Sequence, residues 1–135
     1  MEHTPVGDLM TEPVLTVNAT DSVRAVGKAM REKGIKSVVV IDESCQPKGI
    51  LTSTDFVEIA TTDVDITDST VEDWMTSGIY TVSRSEAVPV AVDEMLAREI
   101  SHLPVVDDDG TVVGILSMTD IVTEHATGTQ DLAEL

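Results

Sequence analysis

The strongest constraint on this 135-residue chain is an internal repeat. Displaced by 65 positions, residues 6–57 align with residues 71–122 without a gap, and 17 of the 52 positions are identical. The identities include Met10/Met75, Thr11/Thr76, Gly49/Gly114, Leu51/Leu116 and Asp55/Asp120. Two copies are too few for a solenoid, which stacks three or more. Units of this size bury too little surface to be stable alone. The repeat therefore predicts two small units packed on each other about a pseudo-two-fold axis.

Each copy reads as the same run of elements. A short strand (residues 14–17 or 79–82) leads to a turn with capping-box spacing, Thr20-Asp21-Ser22 or Ser83-Arg84-Ser85-Glu86. An amphipathic helix follows, with Val23, Val26 and Met30 on one face in the first copy and Val88, Val92, Met95 and Leu96 in the second. An apolar strand (37–41 or 103–106), a polar hairpin turn (42–48 or 107–111, clearest at Asp109-Gly110) and a further strand (49–51 or 112–116) come next. A helix from about residue 53 or 118 closes the copy. The order β-α-β-β-α, twice, predicts an α/β (α+β) fold. Residues 6–60 and 71–126 form the repeats, 61–70 an Asp/Thr-rich surface linker, and 127–135 a frayed tail.

Composition narrows the function. Eight Lys+Arg stand against 25 Asp+Glu, a formal charge of −17. Such a surface repels nucleic-acid phosphates and anionic lipid, so neither is an expected partner. The 41% apolar share still supplies a core. Aromatics are 2%, too few for a base-stacking platform. A lone Cys45 excludes internal disulfides and multi-cysteine metal sites. His3, His102 and His125 are not spaced as a metal triad, and the Asp107-Asp108-Asp109 run reads as a solvated turn. No membrane-span-length apolar run and no signal-peptide pattern occur, so a cytoplasmic protein is expected. Four Lys against 14 Asp, 17 Thr and 20 Val point to adaptation to high salt, with an ordinary acidic protein as the other reading.

Two segments carry chemistry: Gly49-Ile50-Leu51-Thr52-Ser53-Thr54-Asp55 and Gly114-Ile115-Leu116-Ser117-Met118-Thr119-Asp120. In each a strand ends, a hydroxyl residue follows, a helix begins, and an Asp stands three positions on. Free N–H groups at the helix start suit a phosphate, to which Thr52 or Ser117 can also donate. Asp55 or Asp120 can accept two hydrogen bonds from a ribose diol. The same spacing also fits a plain capping box, with no ligand at all.

The stretches ISHLPVVDDDGTVVGILSMTD and IKSVVVIDESCQPKGILTSTD, with VxDxMT opening each copy, resemble the CBS (cystathionine β-synthase-type) domain over about 120 residues. The resemblance implies a tandem pair with two clefts between the repeats that bind AMP, ADP, ATP, S-adenosylmethionine or NAD as regulatory ligands, with no catalytic cofactor. It favours the ribose reading of Asp55 and Asp120. It also implies phosphate contacts at Lys36 and Ser37, and at Ser101 and His102. It places adenine against Met75, Tyr80 and Ile100 for the Asp55 cleft, and against Met10, Leu15 and Ile35 for the Asp120 cleft; taken singly, each of these six side chains reads first as core. Copy one departs from the family pattern with Val39 where copy two has Pro104, and lacks the hairpin glycine. Charge differs as well: 6 basic and 7 acidic residues over 6–57, but 2 and 10 over 71–122. A polyphosphate should therefore favour copy one.

These readings describe a non-catalytic regulatory, energy-sensing module and homodimer with an effector protein as possible partner. The alternative is a ligand-free dimerisation or protein-interaction module. A small hydrolase or transferase is a third reading, and no nucleophile or acid–base pair supports it.

Overall fold

The computed structural model describes residues 3–123. They form two compact units, one built from residue 14 to residue 79 and the other from residues up to 13 together with those from 80 onward.

The unit of residues 14–79 holds strand β1 (Thr16–Asn18), helix α1 (Val23–Lys33), strands β2 (Ser37–Ile41) and β3 (Pro47–Thr52), helix α2 (Ser53–Ala60), the short helix α3 (Val71–Trp74) and strand β4 (Thr76–Ser77). Its sheet order is β1-β2-β3-β4, with β1 parallel to β2 and the other pairs antiparallel. The parallel pair follows from α1, which carries the chain back across the sheet. Ser22 caps α1 by accepting from the Ala25 N–H at 3.2 Å. Val23, Val26 and Met30 face inward, as the apolar spacing predicts, and pack with Val17, Val38, Val40, Leu51, Ile59 and Val71.

The second unit contains β5 (Val82–Ser83), α4 (Val88–Arg98), β6 (His102–Val106), β7 (Val112–Ser117) and a helix over 118–123, here α5. Its sheet is β5-β6-β7, with β5 parallel to β6 and β7 antiparallel. Thr11, bridged antiparallel to Ile115, occupies the place that β4 takes beside β3. The 3-10 turn Val6–Asp8 is stitched to the loop before α4: the Val6 and Gly7 N–H groups donate to Glu86 O and Arg84 O, and Val88 N–H donates to Thr4 O. Val71 and Glu72 do the same in the other unit, donating to Asp21 O and Ala19 O. The opening segment of each sequence repeat thus folds onto the body of the other repeat.

Several sequence expectations are corrected. The leading strands lie at Thr16–Asn18 and Val82–Ser83, later than 14–17 and 79–82. The difference between them has a cause. Val39 N–H donates to Leu15 O at 3.1 Å, and the aligned Pro104 has no N–H to give Tyr80 O. The parallel pairing therefore starts later in β5. Ser83-Arg84-Ser85-Glu86 is not the cap of α4. The N-cap is Ala87, Pro89 lies in the first turn, and Ser83 Oγ is bound to Ser85. Leu96 faces solvent at 61% exposure, and the inward face is formed by Val88, Ala91 and Met95.

Two positions are set in the left-handed region without glycine. Gly34 ends α1 at φ 64°, and the aligned Glu99 ends α4 at φ 54°. Gly110 turns the second hairpin at φ 82°, and the aligned Cys45 turns the first at φ 62°. A side chain in this region costs about 1 kcal/mol. Glu99→Gly and Cys45→Gly are each expected to raise stability by about 0.5–1 kcal/mol, the gain reduced by the greater freedom of glycine in the unfolded chain. Urea titration of the two variants checks this; unchanged midpoints would show that neither site is strained.

Candidate functional site

The two strand-to-helix junctions have matching geometry, each within its own unit. At the first, Thr52 N–H donates to Asp55 Oδ2 at 2.7 Å and the Asp55 N–H donates back to the Thr52 side chain, a capping box on α2; the Thr52 hydroxyl also lies 3.2 Å from Asp55 Oδ2. Asp55 Oδ1 has no protein partner among the described residues. Ser37 and Thr52 are cross-strand neighbours, and Ser53 N–H donates to Lys36 O at 2.9 Å. The structure therefore brings Lys36, Ser37, Thr52 and Asp55 to one place, at the mouth of α2.

At the second junction, Ser117 N–H donates to Asp120 Oδ2 at 3.0 Å and Asp120 N–H donates to Ser117 Oγ at 3.1 Å. His102 and Ser117 are cross-strand neighbours, and Met118 N–H donates to Ser101 O at 2.9 Å. The Ser101 hydroxyl lies 3.1 Å from His102 Nδ1. Asp120 also accepts from Thr11, whose hydroxyl lies 3.3 Å from both carboxylate oxygens. Sequence reasoning did not pick out Thr11 as a site residue. The signal was there, in the Thr11/Thr76 identity.

The apolar residues expected around adenine are divided between the units. Met10 lies in the unit of Asp120, 8% exposed, packed in that core. Leu15 and Ile35 lie in the unit of Asp55, half-buried against its core. Met75 also belongs to that unit, while Ile100 packs on the core of Asp120's unit. Tyr80, in the same unit as Ile100, is 42% exposed, with the Arg98 guanidinium 3.5 Å from its ring centroid. Glu94 holds that arginine at 2.6 Å, and this hydrogen bond raises the guanidinium pKa above its ordinary value. Met10 and Met75 seat against glycines. A Cβ at Gly114 would stand 2.5 Å from Met10 Sδ, and one at Gly49 would stand 2.7 Å from Met75 Sδ.

The same Thr-x-x-Asp box occurs where no ligand was expected. Thr70 N–H donates to Asp73 Oδ2 at 3.0 Å at the start of α3. Capping is thus shown for all three boxes, and capping geometry alone does not mark a ligand site.

Among the described residues, no group of three or more His, Cys, Asp or Glu could hold a metal ion, and no helix is long and apolar enough to cross a membrane. His125 and the tail 127–135 lie outside the described residues.

Comparison with known proteins places these observations. The CBS domain model matches residues 6–61 and 71–126. A homoserine O-acetyltransferase of Methanococcoides burtonii is 33% identical over 121 residues, which is 90% of this chain and 24% of that enzyme. An uncharacterised protein of Methanopyrus kandleri is 33% identical over 123 residues; the chain spans 63% of its length. The fold is similar to the CBS domain pair of protein MJ0100, solved in complex with 5′-methylthioadenosine and S-adenosyl-L-methionine. The TM-score is 0.82 at 29% identity, covering 93% of this chain and 98% of that one. It is also similar to CBSX2 in complex with AMP, with a TM-score of 0.79 at 26% identity, covering 91% and 97%. The duplicated β-α-β-β-α order, the paired junctions and the two matched spans establish the chain as a member of the CBS domain family, carrying a tandem pair of these domains.

Proposed function

We propose that this CBS pair is a non-catalytic regulatory module that binds an adenosyl ligand through Asp55 and Asp120, and that it works as a homodimer. The observation that carries the reading is the repeated junction: a carboxylate held by its own cap beside a helix N-terminus, with the residue preceding the apolar strand hydrogen-bonded to that same helix start. The complexes of MJ0100 and CBSX2 support adenosyl compounds as the ligand class. Asp55 offers an oxygen for a ribose hydroxyl, and Lys36 adds positive charge for phosphate, so AMP, ADP or ATP suits that junction. Asp120, in the more acidic repeat, suits a ligand with an uncharged or cationic tail such as 5′-methylthioadenosine or S-adenosylmethionine. Regulation follows by linkage: the ligand shifts the module by its differential affinity for two arrangements, and an effector reads the shift.

Isothermal titration with S-adenosylmethionine, 5′-methylthioadenosine, AMP, ADP, ATP and NAD, paired with thermal melts, tests this. At about 100 times Kd a single-site ligand stabilises the fold by about 2.7 kcal/mol. Absence of heat and of any melting shift across the series would overturn the reading in favour of a ligand-free interaction module.

A further inference from the structure

Of the three aromatic residues in the chain, Phe56 and Trp74 are half-buried against the core of their unit, and only Tyr80 is exposed. Little of the backbone holds it. Tyr80 precedes β5, and the bond that Val39 N–H gives to the aligned Leu15 carbonyl is one that Pro104 cannot give to Tyr80. A side chain holds the ring instead. The Arg98 guanidinium lies over it, 3.5 Å from the centroid. Arg98 is in turn fixed by Glu94, one turn earlier on α4, with Nε donating to Glu94 Oε1 at 2.6 Å.

This trio belongs to one repeat. The residues aligned with Tyr80, Glu94 and Arg98 are Leu15, Ala29 and Lys33, and Leu15 packs on its own core. With one ring face under Arg98, the 42% exposure of Tyr80 belongs to the opposite face and the rim. An exposed ring of this kind is a surface on which a nucleobase stacks, since every base has a π-face to offer. A guanidinium suits the supporting role, because it is planar, weakly hydrated and stacks on aromatic faces. Glu94 meets the charge of Arg98, so the arginine supplies a fixed ring more than a free cation.

We propose that Arg98 is a positioning residue for the adenosyl ligand, holding Tyr80 as a platform whose uncovered face stacks on the adenine ring. The inference rests on the adenosyl reading above and on adenine lying at Tyr80, and it gives Arg98 and Glu94 the task of fixing that ring. The contact is then with the base and not with the tail. Ligands with and without a phosphate should lose the same factor when Arg98 is changed.

Tyr80 is the one tyrosine of the chain, so the 135-residue protein labelled with 3-fluorotyrosine gives a single fluorine resonance. Its position is followed on adding 5′-methylthioadenosine, which has no phosphate, and AMP. Calorimetric titration with both ligands compares the wild type with Tyr80→Ala, Tyr80→Phe, Arg98→Ala and Arg98→Lys, and circular dichroism melts confirm folding. Both ligands are expected to shift the resonance in the wild type. Tyr80→Phe should bind as the wild type does, and Tyr80→Ala at least about fivefold more weakly. Arg98→Ala should weaken both ligands about two- to fivefold and by the same factor. Arg98→Lys should fall with it, since lysine keeps the charge and loses the planar stack. If Tyr80→Ala unfolds, the resonance and the Arg98 variants carry the test. A wild type that binds neither ligand would overturn the adenosyl reading and this inference with it. Ligands that bind while the resonance stays in place, or while Arg98→Ala keeps full affinity, would overturn the positioning role and leave that reading standing. A loss confined to AMP and restored by Arg98→Lys would make Arg98 a phosphate partner, which also overturns it.

Discussion

Gly114→Ala is expected to destabilise the fold by about 2–3 kcal/mol, the usual upper range for forcing an extra methyl into a packed site. The neighbours set the size of the effect. A Cβ at Gly114 would meet Met10 Sδ at 2.5 Å and the Thr11 carbonyl oxygen at 3.0 Å. The thioether can swing away, because methionine is flexible. The carbonyl cannot: it accepts from Ile115 N–H, while Thr11 N–H donates to Ile115 O at 2.8 Å. Moving it breaks the bridge that holds the opening segment to β7. Gly49→Ala should behave alike, with the Thr76 carbonyl oxygen at 2.9 Å and the β3–β4 pairing at stake. Gly27→Ala is the contrast. Its obstacle is one edge of the half-buried Phe56 ring, which can shift, and alanine gains up to about 1 kcal/mol of helix propensity over glycine. Thermal melts should show a fall of roughly 10 °C for Gly114→Ala and Gly49→Ala, and much less for Gly27→Ala. Equal behaviour of all three would mean that the opening segments yield freely and are not seated by these glycines.

Those segments also show where sequence reading reached its limit. The repeat and its apolar spacing foretold α1, the two central strands and the hairpins, because period and turn chemistry are local. Asp42 and Asp107 each fold their hairpin turn onto a side-chain oxygen, as the Asp-rich turns suggested. The exchange of opening segments has no local signature. It depends on backbone pairings such as Thr11 with Ile115, over 100 residues apart in the chain. The paired identities Met10/Met75 and Gly49/Gly114 were visible, but nothing local says that a methionine of one repeat rests on a glycine of the other. Pro104 was read as a family feature. Its physical effect, the loss of one donor and a later start for β5, needed the strand register to be seen. Leu96 is grouped by sequence with the apolar face of α4 and yet lies in solvent, since the buried line runs Val88, Ala91, Met95 and Leu96 is turned about 100° away from Met95.

At the junctions, Asp55→Ala and Asp120→Ala are each expected to weaken adenosyl-ligand binding by tens-fold or more. On the proposed ribose contact each removes two hydrogen bonds from the diol to a charged acceptor, and such bonds contribute about 1.5–3 kcal/mol apiece. Both residues also cap a helix, so each change costs about 1 kcal/mol of stability as well. Asp73 separates the two roles. It makes the same box with Thr70 at α3, where no ligand contact is proposed. Asp73→Ala should therefore lower stability by a similar amount and leave affinity unchanged. The two junctions should also differ from each other. Asp120 holds the Thr11 hydroxyl with both oxygens, and a ribose diol must displace it; among the described residues Asp55 is bound only at Oδ2. Thr11→Val should thus tighten binding at the Asp120 junction, and Thr76→Val, lacking such a contact, should leave the Asp55 junction as it was. A 2′,3′-dideoxy analogue should bind the wild type as weakly as the natural ligand binds the Asp variants, and the two losses should not add. Calorimetric titration and melting of each variant give affinity and stability from the same samples. If Asp55→Ala and Asp120→Ala match Asp73→Ala in both measurements, the two carboxylates are caps alone and the ligand contacts lie elsewhere.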